Sequence, residues 1–390
     1  MAITLKGLAW DHRRCWGPLD ASIAAYTAAR PGLSIVWERR SLYEFGEGRL
    51  EDTVRKYDLI TFDHPFVGEV ARDGLMLPFD DHLSEADKRM FEADSVGKSW
   101  QSYQAGGKQW ALPIDAAAQV ASYRPDLLKK YADAAPTSHE AVVQLGRRLR
   151  ADGLWLGLPL VPTDAMCLIL TGAALAGHPI GTDPGVCIED RVLAGVVDRL
   201  RELATLAHPQ SWSWNPIRCY EHMIAHNDVV YVPFAFGYVN YASRNDGPHL
   251  RFADIPASPP KGALLGGAGI GVSAQSKHPD EAIAYAKHLC SPEFQRTEYV
   301  SAGGQPGMLS AWTDAAANQA TRNFFADTLA TMRGSYLRQT HPGFITFFRE
   351  SAAKAAAAIK GELSPADLAA WLNRKHAETL PRAALDRSFA

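Results

Sequence analysis

No sign of charge dominates this chain: 40 Lys and Arg stand against 43 Asp and Glu, a formal net charge of -3. With no run of like charges either, nucleic acid or an anionic membrane surface is not expected as the main partner. No apolar run approaches the ~20 residues of a membrane span, so the chain is not expected to cross one. The five cysteines, Cys15, Cys167, Cys187, Cys219 and Cys290, have no Cys-x-x-Cys spacing. They signal neither a disulfide framework nor a zinc site, and free thiols lean toward a reducing compartment. A repeat at a period of ~20 to 50 residues is lacking, which disfavours a solenoid or propeller. Gly-x-Ser-x-Gly elbows and phosphate-binding P-loops are missing too. Gly269-Ile-Gly-Val-Ser-Ala274 has the letters of a dinucleotide fingerprint. It runs along a predicted strand, however, and Pro279 opens the next helix too late to seat a phosphate. His222 and His226 lie four apart on a predicted helix without the Glu of a metalloprotease or a third ligand in view. No metal or other cofactor is expected.

What is present is ordinary globular material, 47% hydrophobic and 21% charged. At 390 residues the chain is too long for one comfortable core, so two domains are expected. Residues 1–10 pass directly into a strand with no charged-then-apolar leader. Two readings follow: an exported protein whose leader was removed, or a cytoplasmic one.

Strand, helix, strand follows in quick order: residues 3–9, 19–30, 33–37, a short helix at 50–56, then 58–62. That rhythm predicts a parallel sheet covered by helices, an α/β fold whose ligands sit beyond the carboxyl ends of strands. The loops there are Trp10 to Trp16 and Asp63 to Phe66. Further on, Gln109 to Pro113 and Gln119 to Tyr123 read as two short strands flanking a turn that holds Asp115. Thr137-Ser-His-Glu140 reads as a capping box and Asn215-Pro216 as a helix start. Val229 to Tyr238 reads as a buried strand running into an aromatic loop.

Gly106-Gly-Lys-Gln-Trp-Ala-Leu-Pro-Ile-Asp115, with Val120 to Tyr131 and Pro136 to Glu140 behind it, resembles the family 1 extracellular solute-binding proteins, the maltose-binding-like receptors of ABC importers. Asp58 to Asp81, Gly266 to Gln295 and Gly303 to Pro306 agree in the same order. The resemblance implies a two-lobe periplasmic-binding-protein fold of type II, with a hinge and an interlobe cleft. Lobe one would take residues 1–112 plus 262–308, and lobe two 113–261 plus 309–390. The missing leader departs from that family's pattern.

Candidate ligand-binding residues come from the loops. Trp10 offers a flat face to a sugar ring, with Asp11, His12 and Arg13 beside it for hydroxyls; the plainer reading puts Trp10 in the core. Asp63 and His64 can bind or move a proton, or simply make a turn. Asp115 is a ligand carboxylate or a turn cap. Trp212, Trp214 and Asn215, with Phe234, Phe236 and Tyr238, form an aromatic wall or core packing. Gly267, Gly304 and Gln305 can present backbone N–H groups to an oxygen-rich ligand, or form plain turns. The expected function is capture of a small polar solute, a carbohydrate or a sugar derivative, neutral or acidic, by a non-enzymatic monomer that hands it to ABC-importer membrane subunits. A cytoplasmic enzyme or sensor on the same fold, using Asp11 with His12 or Asp63 with His64, is the alternative.

Overall fold

The computed structural model describes residues 2–181 and 186–381. It divides into two compact units, Met1–Ala117 with Gly266–Ala326 and Thr340–Pro342, and Ala118–Leu265 with Asp327–Gln339 and Gly343–Ala390.

In the first unit Ile3–Trp10 is flanked by Leu33–Arg40 and Leu59–Phe62, both parallel to it, and Leu265–Val272 returns antiparallel against Leu59–Phe62. The first strand alternates only at its start, with Thr4 and Lys6 exposed and Leu5 buried between them, and is buried on both faces from Gly7 to Trp10. Leu5, Leu59, Ile270, Ile283, Leu289 and Phe294 share one core with it. Since Gly7 pairs with Leu59 and Leu8 with Ile60, Trp10 and Phe62 end level, so Asp11 and Asp63 leave the same carboxyl edge. Gly74, at φ 60, closes Val67–Asp73 in the left-handed conformation that glycine adopts without a Cβ clash.

In the second unit the later residues of Leu112–Tyr123 pair antiparallel with Val229–Phe236 and with Arg251–Ala253, and Trp155–Leu156 runs parallel to Val229–Phe236. The helices Pro162–Leu175, Asp190–Leu206, Phe344–Lys360 and Pro365–Thr379 pack on one another.

Four local expectations change. The short helix expected at 50–56 is a run of turns, and the helix lies earlier, at Leu42–Glu47, where Ser41 and Glu44 form a capping box. Leu112–Tyr123 is one continuous strand, so Asp115 lies mid-strand rather than in a turn. The ladder continues because Ala116 N donates to Gln305 O at 3.1 Å, and the fixed φ of Pro113 suits extended chain. The helix after the first strand begins at Arg13, not Leu19, because the His12 side chain caps it by accepting from Arg14 N. The cap at 139 is Ser138, whose hydroxyl accepts from Ala141 N, rather than Thr137.

Candidate functional site

The carboxyl edge of the first sheet is where the sequence placed ligand chemistry, and the side chains there separate into occupied and open ones. Trp10 is occupied: it is 3% exposed and packs on Phe45 with ring centroids 4.7 Å apart. It sits in the half of its strand, Gly7 to Trp10, where residues on both faces are buried, and Phe45 covers its ring. Asp63 accepts from His64 N at 2.8 Å, starting the turn His64–Phe66, and the buried His64 ring lies 3.1 Å from the same carboxylate. The plain turn reading holds for this pair.

Asp115 is also occupied. Arg14, on the first turn of Arg13–Ala28, grips it with both ends of its guanidinium, Nε donating to Oδ2 at 2.7 Å and Nη2 to Oδ1. Both are buried, Arg14 at 4% and Asp115 at 1% exposure. Burial pushes the carboxyl above its usual range, the Arg14 cation pulls it back, and Asp63 adds a smaller upward push. Gly267, at φ 128, lets a neighbouring segment pass over this strand: a Cβ there would meet the Asp115 carbonyl. Gln305, 1% exposed, donates from Nε2 to Ala116 O at 2.8 Å, and Gly304 N donates to Tyr299 O. Gln305 fastens the Asp115 strand and Gly267 packs close on it, while the Gly304 N–H is taken by Tyr299 and is not open to a ligand oxygen.

Open at the same edge are Asp11 and Arg13, both exposed and neither in an ion pair among the described residues. His12 between them is half-buried; desolvation and then the Arg14 cation lower its pKa to about 4, so it is neutral at pH 7.

In the second unit Trp214 is buried and stacks on His208 with centroids 4.9 Å apart and planes 7° from parallel. Asn215 caps Pro216–Ala225, its Oδ1 accepting from Arg218 N at 2.9 Å. Trp212 is half-buried with the Lys360 ammonium 5.1 Å over its ring. Tyr238 packs on Tyr220 and Tyr241 in a buried aromatic group, and the Tyr220 hydroxyl donates to Phe236 O at 3.0 Å. Phe236 itself is half-buried, whereas Phe234 is buried at the wall of a cavity of about 520 Å³ made by Leu168, Gly172, Val196, Leu200 and neighbours. The aromatic loops are therefore mostly core, with Trp212 and Phe236 still facing outward in part.

Two groupings escaped the sequence reading. The Arg14–Asp115 pair spans 101 positions, and no local spacing announces it. His208, His222 and Asp228 converge, with one ligand atom of each within 4.8 Å of the others. Of these, His222 with its helical neighbour His226 was the visible half, and the third ligand lay in a separate turn.

The comparisons with known proteins agree with one another. Against solved structures the chain aligns with a maltose-bound MalE3 of T. maritima at a TM-score of 0.83 and 16% identity, covering 97% of this chain and 100% of that one. It aligns with a ribitol-bound ABC transporter solute-binding protein of Agrobacterium radiobacter at 0.79 and 17%, covering 97% and 99%. A third, the α-D-tagatose-bound solute-binding protein of Thermotoga lettingae, gives 0.79 and 16%, covering 97% and 100%. At such identities the likeness establishes the fold, the two-lobe maltose-binding type of α/β periplasmic-binding protein. No curated protein sequence matches. Among the described residues no helix is long and apolar enough to cross a membrane. The model of the family described as bacterial extracellular solute-binding protein matches residues 23–326, most of the chain, and the chain belongs to that family.

Proposed function

We propose that this solute-binding protein captures a small polyhydroxylated ligand, a saccharide or sugar alcohol, outside the cytoplasm and delivers it to an ABC importer by closing its two units over it. The observation that carries the reading is near end-to-end likeness, in a chain of this family, to structures named as holding maltose, ribitol and tagatose. Asp11 and Arg13 are the side chains we assign to the hydroxyls, because they leave the carboxyl edge of the parallel strands exposed and unpaired. Trp212 and Phe236 are the aromatic faces left in part for a sugar ring.

An acidic ligand is less well supported, since the Arg14 guanidinium is already taken by Asp115. Proton transfer is poorly supported as well: the His12 Nδ1 caps a helix, and His64 is buried against Asp63.

Calorimetry and thermal-shift assays with maltose, ribitol, tagatose and a small carboxylate test this. A neutral polyol should bind saturably, and Asp11→Ala should weaken it roughly tenfold, the scale of one charge-assisted hydrogen bond. Unchanged affinity in Asp11→Ala would remove the site assignment; conversion of the bound ligand would remove the receptor reading. Fractionation of the native host checks the location.

A further inference from the structure

We propose that His208, His222 and Asp228 form a binding site for a divalent transition-metal ion, with zinc as the reference ion. The three side chains come from three neighbouring elements. His208 caps the turn Pro209–Ser213, His222 sits in the last turn of Pro216–Ala225, and Asp228 directly precedes the strand Val229–Phe236. Their backbones are held to one strand: His208 N donates to Leu156 O, and Trp155 N donates to Asp228 O, each at 2.8 Å. The positions are therefore set by the fold and not by the imidazole contacts.

The donor geometry fits such an ion. Both imidazoles aim Nε2 at the same carboxylate, His222 at 2.8 Å from Oδ1 and His208 at 3.4 Å from Oδ2. A tetrahedral zinc with bonds of about 2.0–2.1 Å places its ligand atoms about 3.3 Å apart, so an ion can replace the protons now shared across these contacts. Two imidazole nitrogens and one oxygen select zinc, copper or nickel over magnesium or calcium, which take oxygen. Trp214 backs the His208 ring as a flat wall 4.9 Å away, and ring contacts of this kind restrict which way the imidazole turns. The side chains remain reachable, at 14% and 13% exposure for the histidines and 38% for Asp228. The fourth position falls to water or to His226, whose exposed ring lies 4.4 Å from that of His222.

Two local bonds oppose the ion: the 2.8 Å contact of His222 Nε2 with Asp228 Oδ1, which the metal takes over, and a bond at His208. His208 Nδ1 accepts from Gln210 N at 3.2 Å, which fixes the ring proton on Nε2 in the metal-free chain. Metal at Nε2 moves that proton to Nδ1 and gives up this long, exposed hydrogen bond. At His208 one weak hydrogen bond is exchanged for one metal–nitrogen bond, and at His222 and Asp228 a hydrogen bond is exchanged for one metal–nitrogen and one metal–oxygen bond.

The test uses the full chain without a polyhistidine tag, stripped with chelator and titrated with Zn2+ by calorimetry, and with Co2+ by absorption. We expect a single saturable zinc site, a raised melting temperature with zinc, and a tetrahedral cobalt spectrum. His222→Ala and Asp228→Asn should each weaken zinc at least tenfold, while His139→Ala leaves it unchanged. Absence of saturable binding, or equal affinity in the His222→Ala/Asp228→Asn double variant, overturns the site. If a variant fails to fold, the wild-type cobalt spectrum decides, and an octahedral aqua-like spectrum counts against it.

Discussion

Arg14 with Asp115, and His208 and His222 with Asp228, are both acid–base groupings contained within one compact unit, yet they leave very different chemistry available. The first is sealed: a planar cation covers both oxygens of a carboxylate that no water reaches, and Gln305 fastens its strand while Gly267 packs close on it. The second is loose: one carboxylate, more than a third exposed, is shared by two imidazoles. Residue type alone does not separate them. Burial and the number of partners do, because a bidentate guanidinium uses the acceptor sites that a solute would need, whereas imidazole nitrogens can take a metal ion in place of a proton.

The sharpest way to break this contrast is Asp115→Ala. Removing one member of a buried pair leaves the Arg14 cation without its counter-charge, and such changes cost about 3–5 kcal/mol of folding stability. Urea denaturation of the apo protein should show a loss of that size. A loss below about 1 kcal/mol, the exposed-pair scale, would return Asp115 to the roster of ligand-binding candidates.

A smaller effect concerns His12, which touches the sealed side of the comparison through Arg14. Its pKa falls from 6.5 unfolded to about 4 folded, with burial the larger cause. Below pH 6.5 the unfolded chain therefore binds a proton that the folded chain refuses, and stability drops as pH falls from 6.5 toward 4. Above pH 6.5 this contribution is fully present. His12→Asn keeps an acceptor for the Arg14 N–H and removes the titration. Its stability should fall less steeply than that of the wild type between pH 6.5 and 4, in parallel denaturation series; coincident slopes would show that His12 protonates freely in the folded chain.

These cases also mark what was readable in advance. Element order and family were legible because short-range signals carry them: the strand–helix–strand rhythm of residues 3–62, Asn215-Pro216 at a helix start, Gly74 at a helix end. The side-chain roles were not. Trp10 has the letter of a sugar platform and the strand phase of the exposed Thr4 and Lys6, yet it is buried, because the carboxyl half of the strand is covered on both faces and Phe45 packs on its ring. Asp115 looked like a turn acid because Pro113 suggested a break, but the partner that keeps the strand going, Gln305, and the partner that takes the charge, Arg14, lie 189 and 101 positions away. His222 and His226 were visible as a helical pair, while Asp228 and His208 join them only because the strand Trp155–Leu156 holds both backbones. Long-range partners of this kind leave no trace in local spacing.

The mildest prediction is on the loose side. His222→Ala in metal-free protein removes a half-exposed imidazole–carboxylate contact that stays hydrogen-bonded at 2.8 Å but is open to solvent at Asp228. Screened contacts of this type contribute between zero and about 1 kcal/mol, and the double-mutant coupling of His222→Ala with Asp228→Ala should fall in that range near pH 7. A coupling of several kcal/mol would mean that the imidazole carries a full charge held against Asp228, as the Arg14 guanidinium is held against Asp115. A metal could then enter only by displacing a strong ion pair, and the difference between the two groupings would be one of exposure alone.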